Sequence, residues 1–490
     1  MRGEQVRYTD LRGFIAALDE LGDLTVIDRA VDGDMETAAI TRRSYELRTP
    51  APLFTRIDGA PGFRILGAPA GVSSRADLPF ARLALSLGLP AASTARDIIG
   101  KLIAARDATP VPPVLVTDGP CQENVAVGAD ATLDIFPAPL VHEKDGGRYL
   151  NTWGTLIVRT PDGSLTNWSI ARLMKIDGRR MTGRIASGQH IGQIRKLWTE
   201  RGEPMPYALV QGPEPAVSVV SGLPLADGIE EPGFTGALFG EPVPVVKALT
   251  VDLQVPATAE IVIEGHISIE DNATEGPFGE YAGYQAVDIL TMPTCHVDAV
   301  TYRTGAIWPL VAEGRPPDEY HTVTGVGAAA ECMVILREAG IPATIVWSPL
   351  ESACHWLVVT VPADWRTALP GVTSAELAHR IGEKLFFSKP GFIFPKLFLF
   401  DDDIDPSNPA DLAWGMATRV HPTGRRAVFE NAYIMWMAMC YSPAEQKSMT
   451  GSRVVYDCLQ PAPGDGRPLQ SSFAQSYPLE LQQRVIENWQ

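Results

Sequence analysis

Between residues 117 and 315 the chain is cut into short β-branched runs. TLIVRT (155–160), KALTVDLQV (247–255) and EIVIEGHISI (260–269) are examples, and each is stopped by Gly, Pro, Asn or Asp. Such runs predict a mainly antiparallel sheet or barrel. The flanks read differently. Before residue 117, Thr9 or Asp10 is placed to cap a helix carrying Leu11, Phe14, Ile15 and Leu18, and residues 35–47 and 93–106 also have helical spacing. PLFTRI and FRILGAP between them read as strands, and the Pro-rich PVPPVLV (110–116) as a boundary. From about 320 to 460 alternation returns: GVGAAAECMVILREAG and SAELAHRIGEKLF as helices, ATIVWSP, WLVVTVPA and FIFPKLFLF as strands, which suggests a second α/β domain. The expected organisation is therefore an N-terminal α/β region (1–116), a β-barrel domain (117–318), a C-terminal α/β domain (319–462) and a tail (463–490). In the tail, Leu481, Val485 and Trp489 make one apolar helical stripe that must dock on this chain or on a partner.

At 490 residues the chain is long enough for about two to four domains. Its 44 glycines and 41 prolines are scattered, so they mark turns and shaped loops rather than a disordered linker. The net charge of −17 opposes binding to nucleic acid or to an anionic membrane. No apolar stretch is long enough to span a bilayer, and the first residues lack the apolar core of a secretory signal. The six cysteines are widely spaced without CxxC, which reads as reduced thiols and makes the cytoplasm the expected compartment.

Glu275-Gly276-Pro277-Phe278-Gly279-Glu280 holds two acids on one shaped loop. Neighbouring carboxyls resist ionising together, so one can serve as acid and the other as base; alone, the segment reads more readily as a polar surface turn. Upstream, Asn167-Trp168-Ser169-Ile170-Ala171-Arg172 offers a carboxamide and a planar cationic fork suited to a carboxylate or phosphate. Continuous strand alternation would put Asn167 and Arg172 on opposite faces, so a shared site needs a bulge or two halves of one ligand. His190 and either Glu230 or Glu231 are oxygen/nitrogen donors that suit Mn²⁺ or Mg²⁺ better than zinc. Lys396, inside apolar FIFPKLFLF, needs an anionic partner, while Asp401 to Asp403 read as a solvated loop. No GxGxxG after a strand, no P-loop and no GxSxG elbow occurs.

Seven segments occur together in order: HEKDGGRY (142–149), NWSIARLM (167–174), GQHIG (188–192), LPLADGIEEPGFTGAL (223–238), VPATAEIVIEG (255–265), EGPFGEYAGY (275–284) and FPKLFLFDDDIDP (394–406). This set resembles the UbiD family of decarboxylases, which use prenylated flavin mononucleotide. The resemblance implies a UbiD-like α+β/α/β multidomain fold, with a split β-barrel cofactor domain and a C-terminal domain that makes a homodimer. It implies that Asn167, His190 and Glu231 hold Mn²⁺ (or Mg²⁺) at the cofactor phosphate, the family spacing selecting Glu231 over Glu230. It implies K⁺ near the carbonyl groups of Trp168 and Leu223, the Ser221 hydroxyl and Glu231. Cofactor contacts would come from residues 167–172 (Asn167, Trp168, Ser169, Ile170, Ala171, Arg172), Gln189, His190, Ser221, Leu223, Glu231 and Lys396.

Arg172, Glu275 and Glu280 would then form the catalytic network. Arg172 orients the substrate carboxylate, and Glu280 delivers the proton that replaces CO₂ after a covalent adduct to the cofactor has served as electron sink. A flavin prenyltransferase would supply the cofactor. Tyr281, His321, Met435 and Trp436 are the expected substrate-pocket residues. An aromatic or heteroaromatic acid is the favoured substrate, with phenazine-1-carboxylate, pyrrole or indole carboxylates, hydroxybenzoates and cinnamates as candidates. Two other readings stand beside it: a non-catalytic flavin-binding subunit of a carboxylase complex, and a metal-dependent hydrolase using His190 and Glu231.

Overall fold

The computed structural model describes residues 6–185, 188–285, 289–462 and 464–489. The first helix, Leu11–Glu20, begins where Asp10 caps it by accepting from the Gly13 N–H at 2.8 Å. It buries Leu11, Phe14, Ile15 and Leu18 on one face, as the spacing predicts. That face lies on a four-stranded sheet ordered Leu24–Ile27, Ala51–Phe54, Arg64–Gly67 and Ile307–Leu310. The fourth strand arrives from beyond the barrel, pairing in parallel with Arg64–Gly67, so the N-terminal sheet is completed by residues more than two hundred positions away.

The central unit is a nine-stranded, wholly antiparallel sheet curved around its own apolar interior. Its two long strands, Ile261–Glu275 and Leu290–Tyr302, pair with two register shifts between them. Shifts of this kind bend a strand and re-aim its end; here the redirected end carries Glu275. The C-terminal part is a mixed five-stranded sheet, Ile345–Trp347, Trp356–Val361, Lys396–Asp401, Thr450–Asp457 and Arg426–Tyr433 in spatial order. FIFPKLFLF is thus a strand only from Lys396; Gly391–Ile393 forms a short 3-10 turn.

The outer α/β parts pack directly on one another. Ala95–Asp107 lies against Val326–Glu338 within a shared apolar core, and Asp107 pairs with Arg337 at 2.6 Å. The Asp401–Asp403 run is not a solvated loop: Asp401 is buried against Arg467 at 3.0 Å, and Asp403 takes both guanidinium arms of Arg419. The tail helix, Leu479–Asn488, half-buries Leu481 and Val485 but leaves Leu479, Ile486 and Trp489 in solvent. Among the described residues no helix is long and apolar enough to cross a membrane.

Candidate active site

The stretch that holds both Asn167 and Arg172 is not one strand. Thr166–Ser169 pairs with Thr155–Arg159, and Leu173–Asp177 pairs with strands on the far side of the sheet. Residues 170–172 make the crossing. The Ile170 N–H leaves the ladder to donate to the Ser221 carbonyl at 3.1 Å, and the Ala171 carbonyl accepts from Asn151 Nδ2 at 2.8 Å. Gly183 closes in behind; a Cβ there would fall 2.3 Å from the Arg172 carbonyl oxygen. This break removes the parity conflict between Asn167 and Arg172.

Arg172 is clamped. Nε and Nη2 each donate to one oxygen of Glu275 at 2.9 Å, and Nη1 donates to Glu280. Glu275 is fully buried, Glu280 nearly so. Tyr149 donates to Glu275 at 3.0 Å, and Phe278 places its ring under the guanidinium at 5.3 Å. The loop between the acids is held by close backbone approach: the Gly146 N–H donates to the Pro277 carbonyl at 2.7 Å, and a Cβ on Gly146 would lie 2.0 Å from the Gly276 oxygen. Burial acts against the Arg172 charge, but Glu280 and Glu275 hold the guanidinium above its ordinary range. Burial raises Glu280, Arg172 and Arg184 pull it back, and the Glu275 charge adds to the rise. One carboxyl locked to arginine beside a second that favours its proton is an orienting base and an acid within one cluster.

The second cluster lies on the Thr166–Ser169 strand, across the break from Arg172. Asn167 Oδ1 is 3.2 Å from His190 Nδ1, at the start of the His190–Arg201 helix. Glu231 Oε2 accepts from the Trp168 N–H at 2.9 Å. Glu231 has a carboxyl that burial pushes up to about 7, with the Trp168 N–H opposing; a buried acid with so few donors fits a cation. Glu230 is exposed and accepts from the Thr166 N–H at 2.6 Å, so the two neighbouring acids have different jobs. Asn167 meets His190 directly and Glu231 meets the backbone of the next residue, Trp168; amide oxygen, imidazole and carboxylate are donor types that could hold a hard divalent ion. Ser221 backs this strand end, its hydroxyl donating to the Val217 carbonyl at 2.8 Å and lying 2.9 Å from the Thr155 hydroxyl. Leu223 is buried two residues on, just past the helix end, and Gln189 is exposed at the N-terminus of the His190–Arg201 helix.

Lys396 is not brought to this cluster. It opens the Lys396–Asp401 strand opposite Trp356 and Val454, and its charge is felt by His355 and Cys440. The lysine that reaches it is Lys389, with Nζ 3.0 Å from His190 Nε2 and 3.3 Å from Asp227. Sequence reasoning missed Lys389 because it stands in a plain Ser-Lys-Pro-Gly turn; its one signal is a cation fixed just before a proline.

Tyr281 is buried and stacked on Tyr320, with ring centroids 3.7 Å apart. His321 is not available to a ligand. Its Nδ1 lies 3.0 Å from the Asp318 N–H and 2.9 Å from the Asp318 carboxylate, and its Nε2 bonds the Tyr281 carbonyl at 3.0 Å, so both ring nitrogens are taken within the protein. The cause is the π-helical turn Tyr320–Gly325, which rolls His321 inward. Met435 is half-buried against the core, and Trp436 lies under the Arg184 guanidinium at 3.5 Å. Arg184, which also acts on Glu280, and Glu313 carry no motif and were missed.

A centre able to orient a carboxylate and a neighbouring set of oxygen and nitrogen donors, on an antiparallel half-barrel, are the groups a cofactor-assisted lyase would need. Residues 15–102, 114–316 and 321–458 match the N-terminal, Rift-related and C-terminal domains of 3-octaprenyl-4-hydroxybenzoate carboxy-lyase, and the chain belongs to this family, UbiD. It is 42% identical to the pyrrole-2-carboxylic acid decarboxylase of Pseudomonas aeruginosa over 98% of this chain and 97% of that one. It is 36% identical to ferulic acid decarboxylase 1 of Saccharomyces cerevisiae, covering 98% and 97%. The UbiD-class enzyme HmfF of Pelotomaculum thermopropionicum, solved with FMN, shares the fold with a TM-score of 0.82 at 24% identity, covering 98% of this chain and 100% of that one; an evolved dimeric form, solved with prFMN, gives 0.78, also at 24% identity, covering 96% and 99%. The chain is a decarboxylase of the UbiD family.

Proposed function

We propose that the protein reversibly decarboxylates a heteroaromatic or aromatic carboxylic acid with prenylated FMN as its cofactor, and that pyrrole-2-carboxylate is the first substrate to try. The observation that carries the reading is the Glu275–Arg172–Glu280 clamp. Three of the five guanidinium N–H groups are taken by the two acids, which leaves two for an incoming carboxylate. Decarboxylation exchanges CO₂ for a proton at carbon, so the site must orient a carboxylate and deliver one proton. Arg172 orients; Glu280, which takes one of the three Arg172 N–H contacts where Glu275 takes two, delivers. Prenylated FMN, when bound, supplies an electrophilic carbon that accepts the electron pair left as CO₂ departs.

Asn167, His190 and Glu231 would hold Mn²⁺ or Mg²⁺, and Lys389 would meet the cofactor phosphate beside it, a role Lys396 is poorly placed to share. The Trp168 and Leu223 carbonyls, the Ser221 hydroxyl and Glu231 would hold K⁺. Tyr281, Met435 and Trp436 supply flat and soft surface for a ring. A flavin prenyltransferase would provide the cofactor, and a second copy of the chain would cover the tail helix in a homodimer. The test is holoenzyme from cells co-expressing that prenyltransferase, offered a panel of pyrrole, indole, phenazine, hydroxybenzoic and cinnamic acids, with CO₂ and product measured. Turnover of a ring acid is expected; enzyme that carries stoichiometric prenylated flavin and releases CO₂ from none of them refutes the substrate class.

A further inference from the structure

Glu313 is a third acid at this end of the site, and the chemistry above does not use it. It follows the Ile307–Leu310 strand and, among the described residues, enters no salt bridge. Its position is fixed by backbone. His142 Nε2 donates to the Glu313 carbonyl at 2.9 Å, and the same imidazole lies against Gly279, where a Cβ would fall 2.5 Å from the ring. Asp145, which faces His142 Nδ1 at 3.1 Å, accepts from the Gly279 N–H at 3.0 Å. The Glu313 segment and the Gly279–Glu280 strand are thus pinned to opposite sides of one His–Asp pair. Behind them the Arg315 Cα would lie 3.1 Å from a Cβ on Gly283, so loop 313–315 sits flush on the turn that follows Glu280. Arg42 holds that loop by the Ala312 carbonyl at 3.1 Å and the Arg315 carbonyl at 2.7 Å.

The groups facing Glu313 are Glu280 and, beyond it, Arg172 with Glu275; Asp318; the Tyr281 N–H; and the stacked Tyr281 and Tyr320 phenols. Arg184 completes the charges around Glu280. Two arginines serve three acids here, and all three Arg172 contacts go to the other two. Burial first, then the charges of Glu280 and Asp318, push the Glu313 carboxyl well above the ordinary range. Neighbouring acids of this kind titrate as a unit. Glu313 as a residue keeps partial exposure, where Glu275 has none, so this end of the cluster lies nearer the surface although the carboxyl itself is buried.

We propose that Glu313 is a positioning residue that stores the proton Glu280 spends. Glu280 gives its proton to the product carbon as the bond to the departing CO₂ breaks; the Glu313 O–H then passes its proton to the Glu280 carboxylate; Glu313 takes one proton from solvent. One proton is consumed per CO₂ released, with no change of oxidation state. The inference rests on the decarboxylase reading, and its test has a part that does not.

In apoenzyme near neutral pH, infrared difference spectra should show a protonated carboxyl band that Glu313→Gln removes and that Glu280→Gln causes to titrate at lower pH. In holoenzyme, Glu313→Gln should lower kcat by about tenfold, a fraction of the 10²–10⁴ given by a direct general acid, with KM unchanged. The alkaline limb of the kcat profile should also move to lower pH, and Glu313→Asp should recover part of both effects. A band untouched by Glu313→Gln, or wild-type kcat and pH profile in that variant, overturns the proposal. Should Glu313→Gln fail to fold, the wild-type band and its shift in Glu280→Gln decide the matter. Wild-type holoenzyme that turns over no acid overturns the parent reading, whereas a lost band with unchanged kcat overturns this one alone.

Discussion

Glu275→Gln separates the two tasks of the clamp. The carboxylate is sealed from solvent, and its Oε1 accepts from both Arg172 Nε and Tyr149, at 2.9 and 3.0 Å. Glutamine must keep its oxygen there, which turns its NH₂ onto Arg172 Nη2, where an acceptor now sits at 2.9 Å. One charge-assisted hydrogen bond, about 1.5–3 kcal/mol, becomes two donors face to face. Removing one partner of a buried pair costs about 3–5 kcal/mol; because Glu280 still answers Arg172, about 2–4 kcal/mol is expected. At roughly 2–4 °C per kcal/mol for a domain of the barrel's size, thermal denaturation of the apoenzyme should fall by about 5–10 °C. Activity should fall further. With Glu275 neutral, Arg172 turns its whole charge on Glu280 and favours the ionised form, so the proton donor is lost and kcat drops by about 10²–10⁴. Glu280→Gln should match that loss in kcat while leaving the three Glu275 hydrogen bonds and most of the thermal stability intact. The reasoning is refuted if Glu275→Gln melts with wild type and keeps kcat within threefold.

Glu231→Ala should purify folded but with much less bound flavin; normal flavin content in that variant would remove Glu231 from the metal set. Gly146→Ala drives a Cβ to 2.0 Å from the Gly276 oxygen, and should displace the acid-bearing loop and cut kcat by about 10²-fold while leaving flavin content unchanged. Glu319, buried against Tyr45 and accepting from the Ala70 N–H at 3.1 Å, is pushed up to about 7 mainly by burial. A raised carboxyl contributes stability below its unfolded value of 4.5 and loses it as pH rises to about 7. At about 1.4 kcal/mol per pH unit the loss is about 3 kcal/mol, and Glu319→Gln should flatten that part of the denaturation profile; an unchanged slope would count against a proton on Glu319.

The barrel was legible because turn residues punctuate β-branched runs, and the first helix because Asp10 and four apolar residues follow helical spacing. The acids of the 275–280 loop were legible as a pair. Their relation to Arg172 was not, because local alternation says nothing of a strand that breaks at Ile170 to bond a helix end. His321 was misjudged for a similar reason: the π-helical turn that spends its nitrogens within the protein has no residue signature. Lys389 and Lys396 are seven positions apart, and only the tertiary path of the Pro390–Phe394 turn decides which meets His190. Asp401 and Asp403 depend on Arg467 and Arg419, distant cations that no local pattern announces.

The strand Ile307–Leu310 sets an order on synthesis. Arg64–Gly67 leaves the ribosome with one edge unpaired, and its partner follows some 240 residues later. At about 5–20 residues per second that edge waits on the order of ten seconds or more. During this time the N-terminal layer is an unfinished surface, open to chaperones or to the same edge on another nascent chain. Its completion coincides with delivery of Glu313 and Asp318, so closing the first sheet and furnishing the far wall of the site are one event in the life of the chain.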